Sequence, residues 1–201
     1  FWLPEQGMTF AKLRRIFKAR NIQGVLMAPQ PAANIEIDFD FAGLSAVSLS
    51  YSLKRPALHV IGNHHFRSMR LMLTHLEELG FRRIGLVVGR DWDEKVGLSW
   101  LGGLLVSREV SRARLEITNF QHRGGETREL LGQIRRTKPD VLVSHRQVFD
   151  QLRELGARIP EEFGFANLSV EHDARFISGV YQNSLQIGRK AVDQVVDMLH
   201  R

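Results

Sequence analysis

Cysteine is absent from the 201 residues, which excludes disulfides, a thiolate nucleophile and Cys-ligated zinc. Long apolar runs are missing too: no stretch approaches the roughly 20 residues needed to span a bilayer. The opening FWLPEQGMTFAKLRR has no charged n-region followed by an apolar h-region, so it does not read as a signal peptide. A soluble, cytoplasmic protein is expected, although a mature periplasmic protein would show the same absences.

Catalytic signatures are also lacking. Neither GxGxxG nor GxxxxGK followed by Ser or Thr occurs, so no backbone cradle for a phosphate is marked out. The glycine pairs Gly102–Gly103 and Gly124–Gly125 stand alone and read as close helix packing and a turn. No HExxH is present, and the adjacent His64 and His65 have the wrong spacing for one zinc ion on a helix. No Ser lies in a GxSxG elbow, and no carboxylate pair stands apart from ordinary helix charges. No enzyme activity, cofactor or metal is expected.

What is present is an ordinary globular composition, 43% hydrophobic and 25% charged, with a formal net charge of +6. That charge fits either contact with nucleic acid or an Arg-rich surface. The basic residues come in short pairs, Arg14–Arg15, Arg82–Arg83 and Arg135–Arg136, without a continuous basic stripe, so this segment does not look like a DNA reader.

Periodicity supplies the architecture. Phe10, Leu13, Ile16 and Phe17 mark an amphipathic helix over 8–20, and NIQGVLMAP (21–29) reads as a buried parallel strand. Strands at 44–52 and 58–63 follow, then a helix through Phe66, Met69, Met72, Leu73, Leu76 and Leu79 that stops at Gly80. After the strand IGLVVG (84–89) come a helix near 97–108, a strand near 114–120 and a helix near 125–136. The strand VLVSH (141–145), a helix over 146–155, the strand EFGFANLS and a closing helix through Leu185, Val192, Val195, Val196 and Leu199 complete the chain. Strands alternating with helices predict an α/β fold with parallel sheets.

Several polar and aromatic residues fall just after strands: Gln30, His64 and His65, Asp91 and Trp92, His145 and Arg146, Asn167 and Ser169. In open α/β sheets ligands gather at the carboxyl edge. Hydrogen-bonding groups beside a Trp suit a polyol, although α/β loops are commonly polar for no functional reason.

The order of segments resembles the LacI/GalR family of transcriptional regulators. The resemblance rests on GFRRIGLVVG, on KPDVLVSHRQVFDQLRELGARIPEEFGFANLS and on GVYQNSLQIGRKAVDQVVDML. It implies two Rossmann-like lobes of the periplasmic-binding-protein-like type I, with residues 1–80 plus 179–201 in one and 81–178 in the other. It also implies a small-molecule effector, a carbohydrate or a derivative, held between the lobes. The family's effector contacts fall here on His64 and His65, on Ser99, on His145 and Arg146, near Ser169 and on Gln182, so most of its usual polar groups are replaced. A homodimer is implied, with contacts from the helices at 8–20 and 66–80, acting on operator DNA through a helix-turn-helix that this chain lacks. Because a first strand is also missing, the sequence is expected to be a fragment. The alternative is a solute-binding protein of an uptake system, which shares the two-lobed fold.

Overall fold

The computed structural model describes residues 7–111, 114–120, 126–170 and 177–200. Gly124–Gly125 lies outside the described residues. The chain packs as two compact units, Phe1–Gly62 with Ser184–Arg201, and Asn63–Asn183.

The first unit opens with α1 (Phe10–Ala19), started by Thr9, whose hydroxyl accepts the Lys12 N–H at 3.2 Å. The strands β1 (Gly24–Met27), β2 (Ile35–Glu36), β3 (Ser45–Leu49), β4 (Leu53–Arg55) and β5 (His59–Ile61) follow. A parallel sheet in the order β1-β3-β5 forms the centre, and β2 pairs with β4 beside it. That small pair was not foreseen, because strands of two and three residues are too short to show an alternation. On α1, Leu13 and Phe17 pack with Phe39, whose ring meets Phe10, Phe17 and Phe41 at centroid distances of 4.8–5.9 Å.

In the second unit the elements are α2 (His65–Glu78), β6 (Arg83–Val87), α3 (Arg90–Glu94), α4 (Ser99–Val110), β7 (Glu116–Phe120) and α5 (Thr127–Thr137). They continue with β8 (Val141–Ser144), α6 (Arg146–Glu154), β9 (Gly164–Val170) and β10 (Gly179–Tyr181). The chain then returns to the first unit as α7 (Ser184–Leu199), where Ala191 and Val195 pack on Val47. The five strands of the second unit are all parallel, in the order β10-β9-β8-β6-β7. Helices α2 and α4 cover one face, burying Met69, Leu73, Trp100 and Leu104 against Ile84, Leu86, Val141 and Val143. Helices α5 and α6 cover the other, with Leu131, Ile134 and Leu152 against Val87 and Leu142.

The division between units differs from that of the sequence reading, which placed residues up to 80 in the first. The apolar stripe of α2, Met69, Met72, Leu73 and Leu76, joins the core of α4 and β6, so the passage lies before α2 rather than after it. Close approach of α2 and α4 is made possible by Gly103. A Cβ there would stand 2.8 Å from both the Cβ of Met69 and the carbonyl oxygen of Phe66. Gly103→Ala is expected to destabilise the protein by about 1–3 kcal/mol through overpacking, read as a lower urea midpoint.

One arginine of each basic pair, Arg14, Arg83 and Arg135, has a carboxylate partner, in Asp40, Asp140 and Glu162. The Asp140 carboxylate accepts the Arg82 and Arg83 amides at 2.9 and 2.8 Å and the Arg83 guanidinium at 2.6 Å. Burial works to raise its pKa, but these donors together hold it below the ordinary carboxylate value. Arg135 reaches Glu162 at 2.9 Å, and this bond, helped by the Arg158 amide, brings the Glu162 pKa down to about 2. Among the described residues no helix is long and apolar enough to cross a membrane.

Candidate functional site

The carboxyl edge of the second unit's sheet is built by the starts of α2, α3, α4 and α6. Helix α4 has no capping side chain of its own, since the residue before it is Leu98 in a left-handed conformation at φ 56°. Its first amides are satisfied from elsewhere. Asp93, buried on α3, accepts the N–H of Trp100 at 2.9 Å and of Leu101 at 3.0 Å, one on each carboxylate oxygen. A carboxylate at a helix N-terminus meets both unpaired donors and the positive end of the dipole. Burial pushes the Asp93 pKa up, against the pull of those two hydrogen bonds.

The cap fixes Trp100, which is 2% exposed, at the centre of a run of rings. The His65 ring lies 4.6 Å from it and the His145 ring 6.4 Å away, edge to face. His145 in turn lies 5.1 Å from Trp92, whose indole is about half exposed and carries the Lys95 ammonium 4.9 Å from its ring centre. Burial lowers the His65 pKa to about 4, with the nearby His145 and His64 adding to the effect, and burial alone takes His145 to about 4. Both imidazoles are therefore neutral at pH 7. The Nε2 atom of His145 is buried without a hydrogen-bond partner. A buried polar atom left unpaired costs free energy that a partner would recover.

His65, Trp92 and His145 are thus brought together, and Trp100 and Asp93 join them. Sequence reasoning missed these last two. The available signal was an Asp on α3 and a Trp in the first turn of α4, but they are seven positions apart and the intervening turn hides the contact. Ser99, beside Trp100, turns its hydroxyl to the Val96 carbonyl at 2.6 Å. His64 is the N-cap of α2, its Nδ1 accepting the Arg67 N–H at 3.4 Å. Arg146 is exposed and paired with Asp150 at 3.1 Å. Ser169 falls inside β9 rather than beyond it, and its N–H donates to the Oδ1 of buried Asn167 at 3.1 Å. Gln182 is engaged by Asn63 and by the Leu168 carbonyl. Gln30 belongs to the first unit, where its backbone N–H donates to Ser52 and its side chain to the Ala28 carbonyl, each at 2.7 Å.

An open cleft of about 620 Å³ lies at the opposite, amino edge of the same sheet, lined by Phe81, Pro139, Pro160 and Phe163. Its charged lining includes the Arg83–Asp140 and Arg135–Glu162 pairs already described, together with Lys138 and Glu161. Among the described residues no three His, Asp or Glu side chains meet as a metal site.

No protein-family profile and no curated protein sequence matches the chain. Solved structures do. A regulatory protein of the LacI family from Chloroflexus aggregans shares its fold over 100% of this chain and 77% of that one, with a TM-score of 0.73 and 17% identity. A periplasmic binding protein/LacI transcriptional regulator from Alkaliphilus metalliredigens, solved with D-xylulofuranose, covers 94% of this chain and 74% of its own, with a TM-score of 0.67 and 14% identity. A LacI-family regulator from Enterococcus faecium, solved with ribose, covers 95% and 76%, with a TM-score of 0.68 and 16% identity. The chain has the α/β fold with parallel sheets that these regulators share.

Proposed function

We propose that this chain is the ligand-sensing part of a bacterial transcription regulator of the LacI kind, and that it binds a small polar, sugar-like effector. The observation that carries the reading is the cluster at the carboxyl edge of the second unit. There a half-exposed indole, a buried unpartnered imidazole nitrogen and neutral rings lie together, on a fold whose solved relatives hold sugars. An aromatic face suits sugar C–H surface, and a neutral imidazole can donate to or accept from a hydroxyl. In this reading the protein is cytoplasmic and not an enzyme. It controls operator DNA as a homodimer, through a DNA-binding segment outside this chain, and the effector shifts the balance between its DNA-competent and DNA-incompetent forms.

A thermal-shift screen against sugars, sugar acids, nucleosides and amino acids tests this. A ligand at 100 times its Kd should add roughly 2.7 kcal/mol, a shift of several degrees for a domain of this size. A stabilising sugar or polyol supports the reading. A panel in which nothing shifts the midpoint contradicts it and favours control by a protein partner.

A further inference from the structure

The chain passes between its two units twice, at Gly62–Asn63 and at Asn183–Ser184. Each passage is held on its own side. Gly62 lies so close to the preceding loop that a Cβ would stand 3.3 Å from the Cα of Ser50, and Asn183 takes a left-handed φ of 50° that ends β10 and precedes α7. The two passages are also joined to each other. The Asn63 side-chain N–H donates to the Gln182 Oε1 at 2.7 Å, and the Gln182 Nε2 donates to the Leu168 carbonyl at 3.1 Å. Residues 119 apart in sequence are thereby linked by one amide pair, half-buried, and anchored on β9.

We propose that Asn63 and Gln182 form an amide brace that makes the two passages yield together, so that Gln182 is a positioning residue of the connection rather than a direct ligand contact. The reasoning is geometric. A chain crossing twice through two independent strands could twist at either one. A short neutral hydrogen bond between the crossings, held on one side by a strand carbonyl, couples the backbone torsions of one to those of the other. The Gln182 amide is spent in this arrangement: its oxygen accepts from Asn63 and its nitrogen donates to Leu168, which leaves one N–H for anything else. The device goes beyond the sensing function and does not depend on which effector is bound.

Hydrogen exchange on the full chain, compared among wild type, Asn63→Ala, Gln182→Ala and the double variant, tests the brace. Loss of one neutral hydrogen bond corresponds to a roughly fivefold rise in local exchange rate. The brace requires that Gln182→Ala raise exchange around residues 62–65, and that Asn63→Ala raise it around 181–185, although neither site was changed in sequence. It also requires that the double variant exchange no faster than the faster single one. Effects confined to the altered passage, or additive effects in the double variant, overturn it. Gln182→Glu keeps the acceptor for Asn63 and should leave the 62–65 amides near wild type, whereas a merely steric role would make it behave like Gln182→Ala. A ligand-binding loss without any remote change in exchange would return Gln182 to the pocket and also contradict the brace.

Discussion

Trp100→Ala is expected to lower the stability of the second unit by roughly 3–5 kcal/mol, the range for deleting a fully buried aromatic. The indole is 2% exposed and packs in the core formed by Met69, Leu73, Leu104 and the strands β6 and β8. Its removal leaves a cavity in that core. It also takes away the ring against which His65 and His145 lie. Urea unfolding followed by circular dichroism measures the loss. A change under about 1 kcal/mol would mean that the ring is not part of the core.

The second large effect is acid sensitivity between pH 6.5 and 4. His65 and His145 have folded-state pKa values of about 4 against an ordinary 6.5, so the folded protein holds fewer protons than the unfolded chain across that interval. Their contribution to stability is complete above pH 6.5 and is lost as the pH falls towards 4. Each imidazole accounts for up to about 3 kcal/mol, from roughly 1.4 kcal/mol per pKa unit. The low-pKa carboxylate Glu162 adds its own loss only below its ordinary value of 4.5, so the upper part of the window isolates the histidines. Asp93, with its pKa raised, works in the opposite direction, since protonation there favours the folded state. In a Trp2→Phe background, fluorescence of Trp92 and Trp100 reports the second unit directly. The midpoint of thermal unfolding should fall between pH 6.5 and 4.5, and His145→Phe should flatten that slope. A wild-type profile flat over the interval would show the imidazoles to be charged and solvated.

How far the sequence could be read depended on how local the cause was. Strands β6 and β8 are continuous apolar runs and α2 carries a regular apolar stripe, so pattern alone located them, whereas the three-residue β10 shows no such pattern. The pairing of β2 with β4 and the passage before α2 are set by contacts far apart in sequence, and no local pattern announces them. The site shows the same split. Of the residues that follow strands, His65, Trp92 and His145 lie together in the structure, whereas His64 caps α2 and Arg146 pairs with Asp150. Asp93 and Trp100 escaped because a buried carboxylate capping another helix looks, in sequence, like any acid on a helix surface. Gln182 was found by resemblance, but its partner Asn63 could be seen only in three dimensions.

The central claim is that a small polar ligand is bound at the ring cluster of the second unit. The direct measurement is calorimetric titration of a stabilising sugar into wild type, Trp92→Ala and His145→Ala, at pH 7 where both imidazoles are neutral. Trp92 is about half exposed, so its variant removes a contact surface with little loss of core. The account predicts that each variant stays folded and binds at least about tenfold more weakly, the change produced by roughly 1.4 kcal/mol of lost interaction. Unchanged affinity in both folded variants would place the ligand elsewhere and contradict the account.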